Sequence, residues 1–212
     1  MGTVKTRCII IGGGDCSAIF LKENVNPEND YIICADSGYD YAKSAGLTPD
    51  LLIGDFDSIS AVPKFMNKIT LPVEKDVTDC VAAYNEGIKL GFSNFVLFGG
   101  TGGRFEHTFA NISLMANASK NNIDFIIVDE MHAFRCITNS FVKIPHKNNQ
   151  QISVFAFGGA AHGVTLNGFH YPLKDFTLDP FNGAFSTSND IVDEFGEIIV
   201  DSGTVVIVET IL

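Results

Sequence analysis

From the N-terminus to about Glu130, short apolar runs alternate with stretches of helical periodicity. The apolar runs predict strands at Arg7–Ile11, Tyr31–Ala35, Leu51–Ile53, Ile69–Leu71, Asn94–Phe98 and Asp124–Val128. The stretches between them predict helices at Cys16–Glu23, Tyr39–Ala45, Thr78–Leu90 and Phe105–Lys120, with Gly46 and Gly91 at expected helix C-termini. This alternation predicts an α/β domain with a mostly parallel, doubly wound sheet.

Helical periodicity fades after about Glu130, and short β-rich runs follow. These runs are Phe134–Ile137, Ser140–Ile144, Ile152–Phe157, Gly163–Leu166, Gly183–Ser186 and Thr204–Ile211. Turn signals separate them, which predicts an all-β C-terminal domain that is an antiparallel sandwich or barrel. We therefore expect two domains, residues 1–130 and residues 131–212.

The composition narrows the functional classes. With 46% hydrophobic residues the chain can form a sizeable core, and its apolar runs are too short to span a bilayer. A net charge of −11 argues against a nucleic-acid partner, because proteins that bind the phosphate backbone need a basic surface. The five cysteines are odd in number and lack metal-ligand spacing, and we see no signal peptide, so we expect a cytoplasmic protein without a membrane partner.

Two carboxylates follow the third predicted strand, in the segment Gly54-Asp55-Phe56-Asp57-Ser58. Alternation along an extended chain places Asp55 and Asp57 on one side, where they repel each other and are costly to desolvate. A cation between them would relieve that cost, and Mg²⁺ with a phosphorylated substrate suits such oxygen ligands. A solvated turn, or Asp57 as a helix cap, explains the pattern about equally well.

A second acidic segment, Glu74–Asp79, precedes the third predicted helix. Asp76 and Asp79 are three residues apart, so both can face one pocket at the start of a helix, with Lys75 beside them. Either Asp76 or Thr78 could be the N-cap, and capping with a favourable helix dipole accounts for much of this pattern. Capping accounts less well for a lysine next to three acids.

Four glycines in five residues, Gly99-Gly100-Thr101-Gly102-Gly103, follow the fifth strand and open the fourth helix. Exposed backbone N–H groups and the helix dipole favour a phosphate at such a place. Arg104, His107 and Asn111 form a polar stripe along the helix that would line a site. We expect a neighbouring apolar stripe to face the core, formed by Phe105, Phe109, Ile112 and Ala116.

A further glycine loop, Gly12-Gly13-Gly14, follows the first strand and invites comparison with the dinucleotide-binding fingerprint. Asp36 lies at about the distance expected of a ribose contact. Ser17 stands where that fingerprint needs its last glycine, so a tight strand-to-helix turn explains the loop well. A nucleotide-dependent dehydrogenase is accordingly the weaker enzyme alternative.

In the C-terminal part, Phe169–Leu173 and Ser186–Asn189 stand out. A tyrosine or histidine beside hydroxyl groups could stack on a flat heterocycle and hydrogen-bond to it. On pattern alone, a β-hairpin with a polar turn is the better explanation.

Taken in order, these segments resemble the thiamine pyrophosphokinase family. The family's Ala-Asp-x-Gly, Pro-Asp, Gly-Asp-Phe-Asp-Ser, Lys-Asp-x-Thr-Asp and Gly-Gly-Arg-x-Asp-His motifs are matched by Ala35–Gly38, Pro49-Asp50, Gly54–Ser58, Lys75–Asp79 and Gly102–His107, the last running into Ala110–Ile112. Its later Gly-x-x-aromatic-x-Leu and Ser-Asn segments are matched by Gly168–Leu173 and Ser186–Asn189. Two positions depart from the pattern: Glu106 replaces the usual aspartate, and Tyr171 stands where some relatives carry tryptophan.

The resemblance implies a Mg²⁺-dependent enzyme that transfers pyrophosphate from ATP to thiamine, giving thiamine diphosphate and AMP. It also implies a homodimer with active sites near the subunit interface. The implied metal ligands are Asp55, Asp57, Asp76 and Asp79, and Lys75 and Arg104 complete the catalytic set. The implied binding residues are Asp36, Ser58, Thr78, Gly102, Gly103, His107, Asn111, Tyr171, Ser186, Ser188 and Asn189. A non-catalytic thiamine or nucleotide sensor is the remaining alternative, and the retained Lys75 and Arg104 argue against it.

Overall fold

The computed structural model describes residues 5–56, 67–72, 76–181 and 186–211. Chain contacts divide it into two compact units. The first contains the described residues up to Leu114 together with Ile123–Glu130, and the second contains Met115–Asn122 together with the chain from Met131 onward. Residues 115–122 thus belong with the β-rich unit, although they are the end of a helix that begins in the first unit. The predicted strand at Gly183–Ser186 lies almost wholly outside the described residues.

The first unit is built on a parallel sheet. Its strands are β1 Arg7–Ile11, β2 Asp30–Ala35, β3 Leu51–Gly54, β4 Lys68–Thr70, β5 Asn94–Phe98 and β6 Asp124–Val128. They lie in the order β4-β3-β2-β1-β5-β6, and every paired neighbour is parallel. The predicted parallel sheet is therefore confirmed, and its order reverses direction between β1 and β5.

Helices cover both faces of this sheet. They are α1 Ala18–Asn24, α2 Gly38–Ser44, α3 Asp79–Lys89 and α4 Phe105–Lys120. Leu21 of α1 and Ala42 of α2 are buried in the cluster that contains Ile9 and Ile32. On the other face, α3 places its Tyr84 ring 5.0 Å from Phe95 and 5.6 Å from Phe125, measured between centroids. Gly46 and Gly91 have φ of 73° and 90°, as expected of glycines that follow a helix.

The second unit contains two antiparallel sheets. Its strands are β7 His132–Thr138, β8 Phe141–Pro145, β9 Gln150–Ala156, β10 Ala161–Asn167, β11 Leu173–Leu178, β12 Phe195–Ile199 and β13 Thr204–Ile211. One sheet has the order β7-β13-β9 and the other β11-β10-β12-β8. Apolar side chains from both, including Val154 and Ile207 from the first and Val164 and Ile198 from the second, form one core. This arrangement is a sandwich.

One prediction for α4 is wrong. Phe105 and Phe109 do not face the core, since their side chains are 78% and 54% exposed, whereas Ala116 is buried as expected. The helix instead buries the face that carries Asn111, Leu114, Met115 and Ala118. The Asn111 amide on this face donates a 2.9 Å hydrogen bond to the carbonyl of Gly100, so its polar group is satisfied where it is buried beside three apolar side chains. Two phenylalanines are left on the surface at the start of the helix.

Candidate functional site

The loops that follow β1 and β5 meet at the point where the strand order reverses. The backbone N–H of Gly12 donates to the carbonyl of Phe98 at 2.8 Å, that of Gly14 to Gly99 at 2.9 Å, and that of Asp15 to Thr101 at 3.1 Å. In open α/β sheets, ligands bind outside the carboxyl ends of the strands at such a reversal. The topology therefore places the candidate site on these two joined loops.

Sterics explain why the joined loops need glycine. A Cβ atom at Gly14 would lie 2.3 Å from the carbonyl oxygen of Thr101, and one at Gly12 would lie 2.7 Å from that of Gly99. Gly102 and Gly103 have φ of 77° and 61°, a conformation that favours glycine. The loop after β1 is thus a tight turn, as its pattern suggested, and it also holds the glycine loop after β5 in place.

A cavity of about 300 Å³ opens on these loops within the first unit. Eight residues predicted for the site line it: Asp36, Thr78, Asp79, Gly102, Gly103, Arg104, His107 and Asn111. The other lining residues are Gly13, Gly14, Gly99 and Gly100, which belong to the two glycine loops singled out from the sequence, and Ser37 and Cys80, which sequence reasoning missed. The available signal for Ser37 and Cys80 was their position next to Asp36 and Asp79, in segments that border the same cavity.

The start of α3 forms one wall of the cavity. Thr78 is the N-cap, since its hydroxyl accepts a 3.3 Å hydrogen bond from the backbone N–H of Val81, which decides between Asp76 and Thr78. Asp79 is then the first helical residue, where the helix dipole favours a negative charge. Cys80 follows it and is half-buried, and burial of its thiol, with a smaller contribution from Asp79, raises the pKa of that thiol to about 12. Cys80 is therefore a neutral lining group at physiological pH.

The glycine loop and the start of α4 form the opposite wall. Asn111 uses its amide to hold the carbonyl of Gly100, so this side chain fixes the loop. Arg104 donates to Glu106 across 2.6 Å, and both side chains are exposed. The backbone N–H of Glu106 and the guanidinium of Arg104 lower the pKa of the Glu106 carboxyl. The residue that departs from the family pattern is thus paired with the cation of the site.

Asp36 reaches the cavity from the end of β2 in an uncommon backbone conformation. Its φ is 48°, and its N–H donates to the carbonyl of Ile53 at 2.8 Å. A Cβ at Gly54 would lie only 3.1 Å from the Cα of Asp36, so the ends of β2 and β3 are in close contact. Left-handed non-glycine residues are costly, and they cluster at functional sites.

The remaining predicted residues of the first unit fall into two groups. Asp55 and Asp76 are described but do not line the cavity, and Asp57, Ser58 and Lys75 lie outside the described residues. Across residues 5–56, 67–72, 76–181 and 186–211, no three His, Cys, Asp or Glu side chains are grouped closely enough to hold a metal. The carboxylates of Asp36 and Asp79 do line the cavity, and their oxygens are of the type that Mg²⁺ prefers. The metal-ligand set therefore stays a prediction.

The predicted residues of the second unit divide into two kinds. Tyr171 is 64% exposed, and Ser188 is exposed with a φ of 53°. Ser186 and Asn189 are buried, and their side chains bond within the protein: Ser186 donates to the carbonyl of Val154, and Asn189 bonds to the backbone of Tyr171. Only Tyr171 and Ser188 of the four present accessible surface to a ligand.

Comparisons with known proteins agree with this arrangement. The sequence model "Thiamin pyrophosphokinase, catalytic domain" matches residues 23–127, and "Thiamin pyrophosphokinase, vitamin B1 binding domain" matches residues 140–205. The chain is 26% identical to thiamine pyrophosphokinase of Bacillus subtilis over 208 residues, which cover 95% of this chain and 97% of that protein.

Solved structures show the same fold. The crystal structure of the Bacillus subtilis protein has a TM-score of 0.87 at 25% identity, covering 97% of this chain and 99% of the other. Yeast thiamin pyrophosphokinase has a TM-score of 0.79 at 16% identity, covering 98% and 87%. With both sequence models matched in order, the chain belongs to the thiamin pyrophosphokinase family and is a diphosphotransferase enzyme.

Proposed function

We propose that the protein transfers the pyrophosphoryl group of ATP to the hydroxyl of thiamine in the presence of Mg²⁺, giving thiamine diphosphate and AMP. The observation that carries the proposal is the cavity in the first unit. It combines glycine backbone from two joined loops, a cation and two carboxylates at a sheet edge. The catalytic-domain match over residues 23–127 supports it, because most of the cavity lining lies within that range.

The glycine loops are the proposed contacts for the triphosphate. Backbone N–H groups at Gly102 and Gly103 and the start of α4 favour an anion, and Arg104 adds a full positive charge. Lys75, from the segment before α3, is the second proposed cation. With a net charge of −11, the chain must hold phosphate by such local groups.

Carboxylates on the same edge are the proposed metal ligands. Asp36 and Asp79 line the cavity, and Asp55, Asp57 and Asp76 belong to the adjoining motifs. When bound, Mg²⁺ would neutralise negative charge on the phosphates. An aspartate of this cluster, rather than His107, is the proposed acceptor for the proton of the thiamine hydroxyl. That oxygen forms a bond to the β-phosphorus while the bond from this phosphorus to the α-phosphate oxygen breaks, and AMP leaves.

Tyr171 and Ser188 are the proposed contacts for the thiamine heterocycle. Both are exposed in the second unit, and the vitamin B1 binding match over residues 140–205 contains them. A tyrosine ring provides a face for stacking and a hydroxyl for hydrogen bonding.

We further propose that the enzyme is a cytoplasmic homodimer. Phe105 and Phe109 lie one helical turn apart on α4, next to cavity residues Arg104 and His107, and their exposed apolar area would be covered by a second copy. All five cysteines are free, as suits a reducing compartment. No helix in the described ranges has the length and apolarity needed to cross a membrane. Sedimentation of Phe105→Ser against wild type tests the dimer, which this change should weaken.

The decisive experiment for the reaction measures AMP release with ATP and thiamine added singly and together. AMP that appears only when both are present, and only with Mg²⁺, supports the proposal. Binding of both compounds without AMP release would instead identify a sensor. Asp57→Asn should fold normally and lose orders of magnitude in turnover, and near wild-type turnover would remove Asp57 from the mechanism.

A further inference from the structure

The backbone of Tyr171 is fastened by a single buried side chain. The Asn189 Oδ1 atom accepts a 3.0 Å hydrogen bond from the N–H of Tyr171, and its Nδ2 donates to the carbonyl of Tyr171 at 2.8 Å. Tyr171 itself is 64% exposed, whereas Asn189 is only 4% exposed. An exposed aromatic residue is thus anchored at both of its backbone polar groups by one side-chain amide.

Asn189 is in turn fixed to the sandwich. Its N–H donates to the carbonyl of Ile152 at 2.9 Å, and its own carbonyl accepts from the N–H of Ile152 at 2.8 Å. Ile152 is a fully buried residue of β9. The chain of contacts therefore runs from the sandwich core through Asn189 to Tyr171, with paired hydrogen bonds at each step.

His170 constrains the ring rather than the backbone. The imidazole stands at 88° to the Tyr171 ring with 4.6 Å between centroids, the favourable edge-to-face geometry. The N–H of His170 donates to the carbonyl of Asp190 at 2.8 Å, which fixes the histidine to the segment that carries Asn189. Asn189 thus fixes the backbone of Tyr171, and His170 restricts the orientation of its ring.

We propose that Asn189 and His170 are positioning residues that hold Tyr171 as a preformed stacking surface for the thiamine heterocycle. The inference rests on the proposed function, in which Tyr171 meets thiamine. An exposed side chain that is ordered only when the ligand arrives weakens binding, and one that is held beforehand does not. Asn189 was expected to touch the ligand, but its burial and its two bonds to Tyr171 assign it an indirect role.

The test is a double-mutant cycle on the KM for thiamine. Asn189→Ala should raise this KM about ten-fold and His170→Ala about three-fold, because the first releases the backbone of Tyr171 and the second releases its ring. The KM for ATP and kcat should stay within about two-fold of wild type, since neither residue belongs to the cavity of the first unit. In a Tyr171→Ala background both effects should vanish, because residues that act through Tyr171 have nothing left to position.

Matched controls come from β10. Asn167 is an exposed asparagine bonded to Glu197, and His162 is an exposed histidine beside Thr177. Asn167→Ala and His162→Ala should leave the KM for thiamine unchanged. Thermal melting of each variant separates loss of folded protein from loss of affinity. If Asn189→Ala does not fold, the KM for thiamine of His170→Ala, with and without Tyr171→Ala, tests the proposal by itself.

Three results would overturn the inference. A loss in Asn189→Ala that persists in the Tyr171→Ala background would show direct contact with the ligand. If Tyr171→Ala raises the KM for thiamine but Asn189→Ala and His170→Ala leave it unchanged, Tyr171 is a ligand contact that needs no support from these two residues. Unchanged KM in Tyr171→Ala would remove Tyr171 from the proposed function as well.

Because the chain lacks tryptophan, Tyr171→Trp adds a single fluorescent reporter with which the Kd for thiamine can be followed without turnover.

Discussion

The cavity of the first unit and the Tyr171 region of the second differ in what their predicted side chains do. In the cavity, backbone holds backbone: the loops after β1 and β5 bond to each other directly, and side chains such as Asp36, Asp79 and Arg104 line the space. Around Tyr171, side chains hold backbone: Ser186 and Asn189 are buried and use their polar atoms on neighbouring main chain.

The contrast fits the two substrates of the proposed reaction. A triphosphate is recognised by N–H groups and charge, which close-packed glycine loops supply. A flat heterocycle is recognised by a ring held at a fixed angle, which requires side-chain supports. Most described motif residues of the first unit line the cavity, whereas two of the four in the second unit, Ser186 and Asn189, are buried supports.

The largest expected effect tests whether lining the cavity decides function. Asp79→Asn should lower turnover roughly 10²–10³-fold, because it removes a charge from the cavity while keeping the size of the side chain. Asp76→Asn is the comparison, since Asp76 belongs to the same motif but does not line the cavity, and as a carboxylate that would meet the metal through water it should cost less turnover than Asp79→Asn, about ten-fold. Initial rates of AMP release measure both. Equal losses of turnover in the two variants would show that lining the cavity does not distinguish the role of Asp79 from that of Asp76.

The next effect tests the joined loops. Gly14→Ala would place a Cβ 2.3 Å from the carbonyl oxygen of Thr101, so the loops must move apart. We expect turnover to fall about 10²-fold, because displacement of about 1 Å at a positioned site has that effect. Urea denaturation should show a loss of about 1–3 kcal/mol.

Gly159→Ala is the control for that change, since no atom lies within 4 Å of the Cβ position there. It should leave both turnover and stability close to wild type. Full activity in Gly14→Ala would mean that the loops are not a rigid part of the site.

A smaller effect is expected where a side chain supports the glycine loop. Asn111→Ala removes the donor to the carbonyl of Gly100 and should raise the KM for ATP about ten-fold, because one buried hydrogen bond that orders the phosphate contacts is lost. Asn117→Ala, an exposed asparagine on the same helix, should have no effect. If both variants bind ATP normally, the loop keeps its shape without this support.

The smallest effect concerns the departure at position 106. Glu106→Gln should lower the KM for ATP about two- to three-fold at low salt, because Arg104 no longer shares its charge with a carboxylate, and the difference should shrink as salt is added. Glu86→Gln, which breaks the exposed pair with Lys89, is the matched control. A higher KM in Glu106→Gln would show that the carboxylate orients Arg104 rather than competing for it.

Much of the fold could be predicted because buried parallel strands are continuous apolar runs. β1 and β5 were predicted to the residue. The strands β11 and β12 were missed because each breaks its pattern: β11 contains Asp175 at φ 50° with irregular register, and β12 contains Gly196, which the ring of Phe169 packs against. Such interruptions are dictated by neighbours distant in sequence.

The cavity lining was predictable where a motif placed chemistry at a strand end, as at Asp36, or at the start of a helix, as at Asp79 and Arg104. It was not predictable where the role depends on long-range pairing. Nothing near Gly14 reveals that the carbonyl of Thr101 lies against it. Likewise, nothing near Asn189 reveals that its amide holds Tyr171, so a residue that supports a contact could not be distinguished from one that makes it.

The ladder between the loops after β1 and β5 also restricts how this protein can evolve. Gly12, Gly14 and Asp15 bond in turn to Phe98, Gly99 and Thr101, so the two loops advance in step. An insertion or deletion in one loop would shift every later partner and break the ladder, unless the other loop changed length at the same time. We therefore expect relatives to vary the helices and outer strands freely while keeping the lengths of these two loops tied to each other.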